Sequence, residues 1–252
     1  MNFSEEETKT QERSIDYVNR NQELLIDKHV HRKKPLQVGF VTIFMAGSPG
    51  SGKTEFSERW IENAYNKNTA LKKKFEKHVK ISSFDNILIK IDVDEIREFF
   101  PEYKKTDKEN NIQGNAHVIQ KAANKGLDIL RKYCLENEVS FLHDGTFGNF
   151  STMKKIIKKS IANNRSIIIF YLYIDPLSAW EFTKAREKNE GRNIIKEKFI
   201  QQYFESRINV NKVKSEFGNS VEINCVLKDS DNKVIGLEFN VQSVDDYLEK
   251  HF

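Results

Sequence analysis

The chain is poor in nearly every residue type that would take it out of the ordinary globular class. Of its 252 residues only two are cysteine, Cys134 and Cys225, and neither lies in a Cys-x-x-Cys or Cys/His spacing. That excludes a disulfide framework and a structural zinc site, and it suits a reducing compartment. Four prolines and eleven glycines are too few for a collagenous or low-complexity chain. A dominant sign of charge is lacking as well: 41 basic against 37 acidic side chains leave a net charge of +4. That is too weak to argue for a nucleic-acid partner. The longest apolar runs are Val38–Ala46, interrupted by Gly39 and Thr42, and Ile167–Ile174. Both fall well short of the ~18 residues of a membrane span, so no membrane partner is expected. The opening Met1-Asn2-Phe3-Ser4-Glu5-Glu6-Glu7 is acidic and has no apolar core, unlike a signal peptide; a cytoplasmic location is the expectation.

What is present alternates. Ser4 and Glu7 have the spacing of a capping box ahead of one helix reaching about Val30, with Ile15, Val18, Leu25 and Ile26 as a partial apolar stripe. The basic run Lys28–Lys34 ends at Pro35 and reads as a solvated linker. Val38–Ala46 lacks polar alternation and is rich in β-branched and aromatic residues, as a central parallel strand would be. A helix is expected from Lys53 to about Asn66, a short strand over Ile87–Ile91, and a long helix from Gln113 to Asn137. Val139–Leu142 and Ile167–Ile174 read as strands, with a helix over Ser151–Asn163 between them. Helices over Pro176–Asn189 and Lys196–Phe217 follow, then a hairpin of Val221–Leu227 with Val234–Val241 and a short helix from Ser243. Strands alternating with helices predict an α/β fold, a parallel sheet flanked by helices. We expect a single domain over 1–252: an N-terminal helical extension (1–34), a core (36–217) and a C-terminal β-hairpin with helix (218–252).

One motif outweighs the rest. Gly47-Ser48-Pro49-Gly50-Ser51-Gly52-Lys53-Thr54 matches the G-x-x-x-x-G-K-[ST] pattern of the P-loop, between an expected strand and an expected helix. Its glycines let successive N–H groups turn inward around phosphate oxygens, and the following helix adds its N-terminal partial charge. Lys53 would reach the β/γ-phosphates of ATP, and the Thr54 hydroxyl would ligate Mg²⁺. The motif fixes nucleotide binding but not the reaction. No N/T-K-x-D segment for reading guanine is present, since Asn66-Lys67-Asn68 lacks the aspartate. An ATPase with its acidic residue at Asp175 stays open, although Asp175-Pro176 reads equally well as a helix start.

A kinase also needs a carboxylate near the acceptor hydroxyl and cations over the moving phosphoryl group. Asp92 and Asp94 end the second strand, on the edge where ligands bind in open α/β sheets. As two acids they could serve as base, or simply cap the helix that follows. Asp144-Gly145-Thr146 ends the third strand on the same edge, where a plain turn is the competing account. Arg186 and Arg192 bracket a charged loop and could equally be a solvated helix end. His117 and His143 are more simply surface and core histidines, and the Lys72–Lys74 and Lys154–Lys159 clusters solvated helix faces.

Taken together, Asp92-Val93-Asp94, Asp144-Gly145-Thr146 and the arginine pair resemble the zeta-toxin family of P-loop kinases over roughly Val38–Arg207. That resemblance implies ATP and Mg²⁺ as cofactors and phosphorylation of the sugar 3′-hydroxyl of UDP-N-acetylglucosamine, a sugar-nucleotide substrate. It implies Lys53 and Thr54 on the phosphate and magnesium, Asp94 as the general base, and Asp144 and Thr146 lining the sugar-nucleotide pocket. It also implies Asp128 as a substrate contact, where the family often carries Glu, and Arg186 and Arg192 as lid arginines on the transferring phosphoryl group. An antitoxin protein is the implied partner. Phe100-Pro101 stands where relatives often carry His-Pro, and the hairpin has no counterpart in the resemblance. The alternatives are a kinase for a nucleoside, an antibiotic or a polynucleotide 5′-hydroxyl, and a nucleotide-binding regulatory module with little transfer.

Overall fold

The computed structural model describes residues 3–33, 41–58, 88–104, 114–190 and 194–251, the side chains of 187–190 aside. The expected N-terminal helix is two: α1 (Glu5–Arg20) and α2 (Gln22–His29). The capping box forms, with Ser4 Oγ accepting from the Glu7 N–H and the Glu7 carboxylate accepting from the Ser4 N–H. The break falls at Asn21, whose backbone and side-chain N–H groups both donate to the Tyr17 carbonyl. An asparagine competing for backbone acceptors ends a helix that apolar spacing alone would continue.

Strand β1 (Val41–Gly47) is buried along its whole length. Residues 38–40, also expected in this strand, lie outside the described residues, as do most of the helix expected after Lys53 and the loop with Gly191 and Arg192. Helix α3 covers residues 53–58 as described. Then come β2 (Ile89–Ile91), α4 (Val93–Arg97), α5 (Ala116–Glu136), β3 (Phe141–His143), α6 (Phe150–Ala162) and β4 (Ser166–Tyr173). Helices α7 (Pro176–Glu190) and α8 (Lys196–Phe217) lead into β5 (Glu222–Lys228), β6 (Val234–Glu238) and α9 (Val244–Glu249).

The six strands lie in the order β2-β3-β1-β4-β5-β6, parallel except for the antiparallel β6 at one edge. The expected hairpin therefore forms, and its first strand is also the fifth parallel strand, paired with β4 from Ile168↔Glu222 to Tyr173↔Leu227. This brings the end of β5 to the edge of the sheet where β1 ends.

Period-two alternation divides the core between the two faces. Phe44 and Ala46 of β1 join one apolar cluster with Ile89, Ile91, Ile119, Leu130, Ile157 and Val210. Ile43 and Met45 point the other way and pack with Phe56, Leu142, Phe170 and Val226. Both faces are thus covered, as a parallel sheet requires. Val18 and Leu25 of the N-terminal helices are fully buried in the first cluster. The N-terminal segment is therefore part of the core and not an appendage laid on it.

Buried Arg165 ties the lower ends of three strands together. Its guanidinium donates to the carbonyls of Val41 (3.0 Å), Val139 (2.6 Å) and Cys134 (3.4 Å) and to Thr42 Oγ1 (2.9 Å), and it lies over the Phe141 ring. Arg165→Met would keep much of the packing but leave these acceptors without their donor. We expect it to lower unfolding stability by about 3 kcal/mol, read from urea melts; a loss under ~1 kcal/mol would mean water replaces the guanidinium.

Candidate functional site

β1 lies between β3 and β4, so the chain leaves its upper end where the neighbouring connections diverge. That is the switch point at which open α/β sheets bind ligands. The Gly47–Thr54 loop sits there. Gly47 pairs with Leu172 across the sheet, and a Cβ on it would stand 2.7 Å from the Leu172 carbonyl. Gly50 has φ +75°, and a Cβ there would run into the Ala179 carbonyl and Thr183 of α7. The glycines thus let two elements close on the loop from outside while it stays curled. Buried Ser51 closes the curl, its Oγ donating to the Ser48 carbonyl at 2.9 Å.

Lys53 is the first residue of α3. Its ammonium donates to the carbonyls of Gly47 (3.1 Å) and Ser48 (2.6 Å), so the charge is centred in the loop's concavity. Burial lowers its pKa to about 8; nearby Asp144 opposes that fall, while Arg186 and Lys228 add to it. Arg186, on the accessible side of α7, is therefore close enough to Lys53 for its charge to be felt.

Thr54 is next in the helix, and its hydroxyl donates to Asp144 Oδ2 at 3.2 Å. Asp144 follows the last residue of β3, where its N–H donates to the Ile91 carbonyl. Its carboxylate is nearly inaccessible, and burial and Asp92 raise its pKa against the pull of Lys53 and Lys90. Lys90 was not singled out by sequence reasoning. Its ammonium lies 3.6 Å from Asp144, 3.4 Å from Asp92 and 3.3 Å from Glu58. Burial disfavours the Lys90 charge, but the three carboxylates outweigh burial and raise its pKa. The only clue in the sequence was a lysine inside the apolar strand Ile89-Lys90-Ile91.

Asp92 uses its two oxygens differently. Oδ1 accepts from the Asp94 N–H at 2.9 Å and caps α4, while Oδ2 faces Lys90. The capping account of Asp92 thus holds, and Asp94 stands on the first turn of α4 beyond it. The Asp94 carboxylate pairs with Arg97, whose guanidinium also bonds Gln120 of α5. Arg97 and Gln120 are thus a further layer behind the candidate base that spacing did not reveal.

Lys53, Thr54, Asp144 and Arg186 are therefore brought together, with Asp92 joined to them through Lys90. Thr146 lies two residues past Asp144, near Gly148. Asp128 is not brought to this group: its side chain is 71% exposed and pairs with Arg131 at 2.6 Å on the same helix. Three residues apart on α5, the two simply meet across one turn. Arg192 lies outside the described residues. His117 pairs with Glu7 of α1 at 3.0 Å. His143 is buried, and burial with the nearby Arg131 pushes its pKa down to about 3.

The oxygen set of Thr54 and Asp144 suits a hard cation. Among the described residues no three His, Cys, Asp or Glu side chains gather as a metal cage. One hydroxyl and one carboxylate is the sparse set a magnesium ion takes when phosphates supply the rest.

The fold that carries these residues has known counterparts. The family model named Zeta toxin matches residues 22–238. The chain belongs to the zeta toxin family. The fold is shared by a structure from the PezAT chromosomal toxin–antitoxin system of Streptococcus pneumoniae, at TM-score 0.58 and 17% identity. That match covers 100% of this chain and 88% of the other. The native AvrRxo1-ORF1:-ORF2 complex matches at TM-score 0.58 and 13% identity, over 98% of this chain and 73% of that one. A structure of the same pair with ATP matches at TM-score 0.57 and 11% identity, over 96% and 71%. No curated protein matches the chain. Among the described residues no helix is long and apolar enough to cross a membrane.

Proposed function

We propose that this member of the zeta toxin family is an ATP-dependent kinase for the sugar 3′-hydroxyl of UDP-N-acetylglucosamine. The observation that carries the kinase reading is the Thr54–Asp144 hydrogen bond beside the Lys53 ammonium. It sets a phosphate loop against the strand-end carboxylate of Asp144, with the pair Asp92 and Asp94 at the end of the neighbouring strand. ATP bound to the AvrRxo1-ORF1:-ORF2 pair supports the nucleotide, and family membership supports the acceptor. An antitoxin partner is proposed from the PezAT and AvrRxo1 assemblies.

Thr54 and Asp144 would hold the magnesium ion, which when bound draws charge from the β- and γ-phosphates. Asp144 is better used there than on the sugar, because its Oδ2 already faces Thr54 and Lys90. Thr146, beyond the same turn, remains the sugar-side contact. Asp94 accepts the proton of the acceptor hydroxyl as the hydroxyl oxygen bonds to the γ-phosphorus and the bond to the β-phosphate oxygen breaks. ADP leaves with that oxygen. Lys53, Arg186 and Arg192 stabilise the negative charge spread over the moving group. Arg97 fixes the Asp94 carboxylate for this transfer.

Phosphorus NMR of the protein with ATP, Mg²⁺ and UDP-N-acetylglucosamine tests the proposal. A new phosphomonoester resonance growing with ADP is expected, and it should be absent with Lys53→Met. ADP without that resonance would overturn the acceptor. Neither product, with ATP bound, would favour a nucleotide-binding regulatory module.

A further inference from the structure

The mechanism makes no use of Lys228, the last residue of β5, a lysine buried along with the five residues before it. It is 5% exposed. Its ammonium donates to the Ser51 carbonyl (3.1 Å), the Gly52 carbonyl (3.2 Å) and Asn232 Oδ1 (2.6 Å). An ammonium has three protons to give, and here all three go to uncharged oxygens. Burial lowers the Lys228 pKa, with Glu55 pulling the other way. A buried cation held by neutral oxygens costs stability on its own account, so its position calls for an explanation in what it does to the loop.

Peptide geometry supplies one. In a trans peptide the C=O and the N–H of the next residue point in opposite directions. Lys228 draws the carbonyls of Ser51 and Gly52 outward, which turns the N–H groups of Gly52 and Lys53 toward the concave side. Both lie at the start of α3, where backbone N–H groups have no intrahelical partner. Gly52 adopts φ +67°, and a Cβ there would run into the Lys228 ammonium and stand 2.5 Å from Asn232 Oδ1. The third motif glycine is thus the point where the hairpin reaches the loop.

The hairpin is braced to do this. Asp229 accepts from the N–H groups of Asp231 and Lys233 through its side chain and from that of Asn232 through its carbonyl. Asn232, at φ +65°, is thereby held facing Lys228.

We infer that Lys228 is a positioning residue of the phosphate site: from behind the loop it orients the Gly52 and Lys53 amides toward a polyphosphate and adds a second positive charge beneath them. The inference rests on the loop binding a polyphosphate. Titration calorimetry of the full chain with ATP, inorganic tripolyphosphate and adenosine tests it, comparing Lys228→Met and Asn232→Ala with the unaltered protein. Lys228→Met should weaken ATP and tripolyphosphate about 10–100-fold and leave adenosine unchanged, a split that a general loss of structure would not give. Equal ATP affinity in Lys228→Met, or an equal loss for adenosine, would overturn the inference while leaving the kinase reading intact. An unaltered protein that binds neither ATP nor tripolyphosphate would overturn both. If Lys228→Met does not fold, Asn232→Ala decides: a several-fold loss confined to the phosphate ligands supports the inference, and no loss overturns it.

Discussion

Lys53→Met should lower turnover about 10²–10³-fold, the range seen when a group that stabilises transition-state charge is removed, and at the same time stabilise the protein without ligand. The two effects share one cause. The ammonium is turned inward onto the Gly47 and Ser48 carbonyls, and burial brings its pKa down to about 8 from the ordinary lysine value. Below pH 8 the folded protein therefore carries a charge that the unfolded chain holds more cheaply. Removing it should gain on the order of 2 kcal/mol net of the hydrogen bonds it makes to Gly47, Ser48 and Ser51. As pH rises from about 8 to 10.5 the folded protein releases this proton while the unfolded chain still holds it. Stability attributable to Lys53 therefore rises over that interval, and the advantage of Lys53→Met should shrink to nothing by its end. Thermal melts at pH 7 and pH 10 measure this. A mutant destabilised at pH 7 would mean that the hydrogen bonds outweigh the burial cost. For the same reason KM for ATP should rise above about pH 8 in the unaltered protein, because the free enzyme loses the charge that meets the phosphates.

Much of this was readable in the sequence, and the unread part follows a physical pattern. The P-loop is legible because glycine, lysine and threonine at fixed offsets are local necessities of a backbone cradle. The predominantly apolar runs of β1 and β4, without polar alternation, mark strands buried on both faces. The break at Asn21 was not legible, because apolar spacing records burial and says little about a side chain competing for one carbonyl. Asp128 came only from the family resemblance, and sequence spacing does not show that its exposed carboxylate pairs with the buried Arg131 of the same helix. Lys90 and Lys228 were passed over because each is a single lysine in or at the end of a mostly apolar strand. Their partners come from segments far away in the chain, Asp144 in one case and Ser51 and Gly52 in the other. The hairpin could be read as a hairpin, but its pairing with β4, which brings Lys228 beneath the phosphate loop, is a long-range event.

The second large effect separates the roles of three strand-end acids, Asp92, Asp94 and Asp144. Asp94→Asn should cut kcat ~10²-fold or more with ATP affinity nearly unchanged, because Asp94 is held on α4 by Arg97 and acts on the acceptor hydroxyl rather than on the phosphates. Asn keeps the shape and a bond to Arg97 but is no base at neutral pH. Asp144→Asn should behave in the opposite way. It removes the negative charge beside Thr54 and the charge that sustains the Lys53 proton, since Asp144 raises the Lys53 pKa. ATP affinity should then fall, more Mg²⁺ should be needed for half-maximal turnover, and the alkaline rise in KM should begin at lower pH. Asp92→Asn should do least, because asparagine caps a helix as well as aspartate does and the Asp92 carboxylate is bound to the Asp94 N–H and Lys90. Steady-state kinetics of the three variants across Mg²⁺ concentration and pH give the readout. Loss of kcat in Asp92→Asn with full turnover in Asp94→Asn would move the base two residues back, to Asp92. An Asp144→Asn enzyme with unchanged Mg²⁺ dependence would return Asp144 to the sugar side of the cleft.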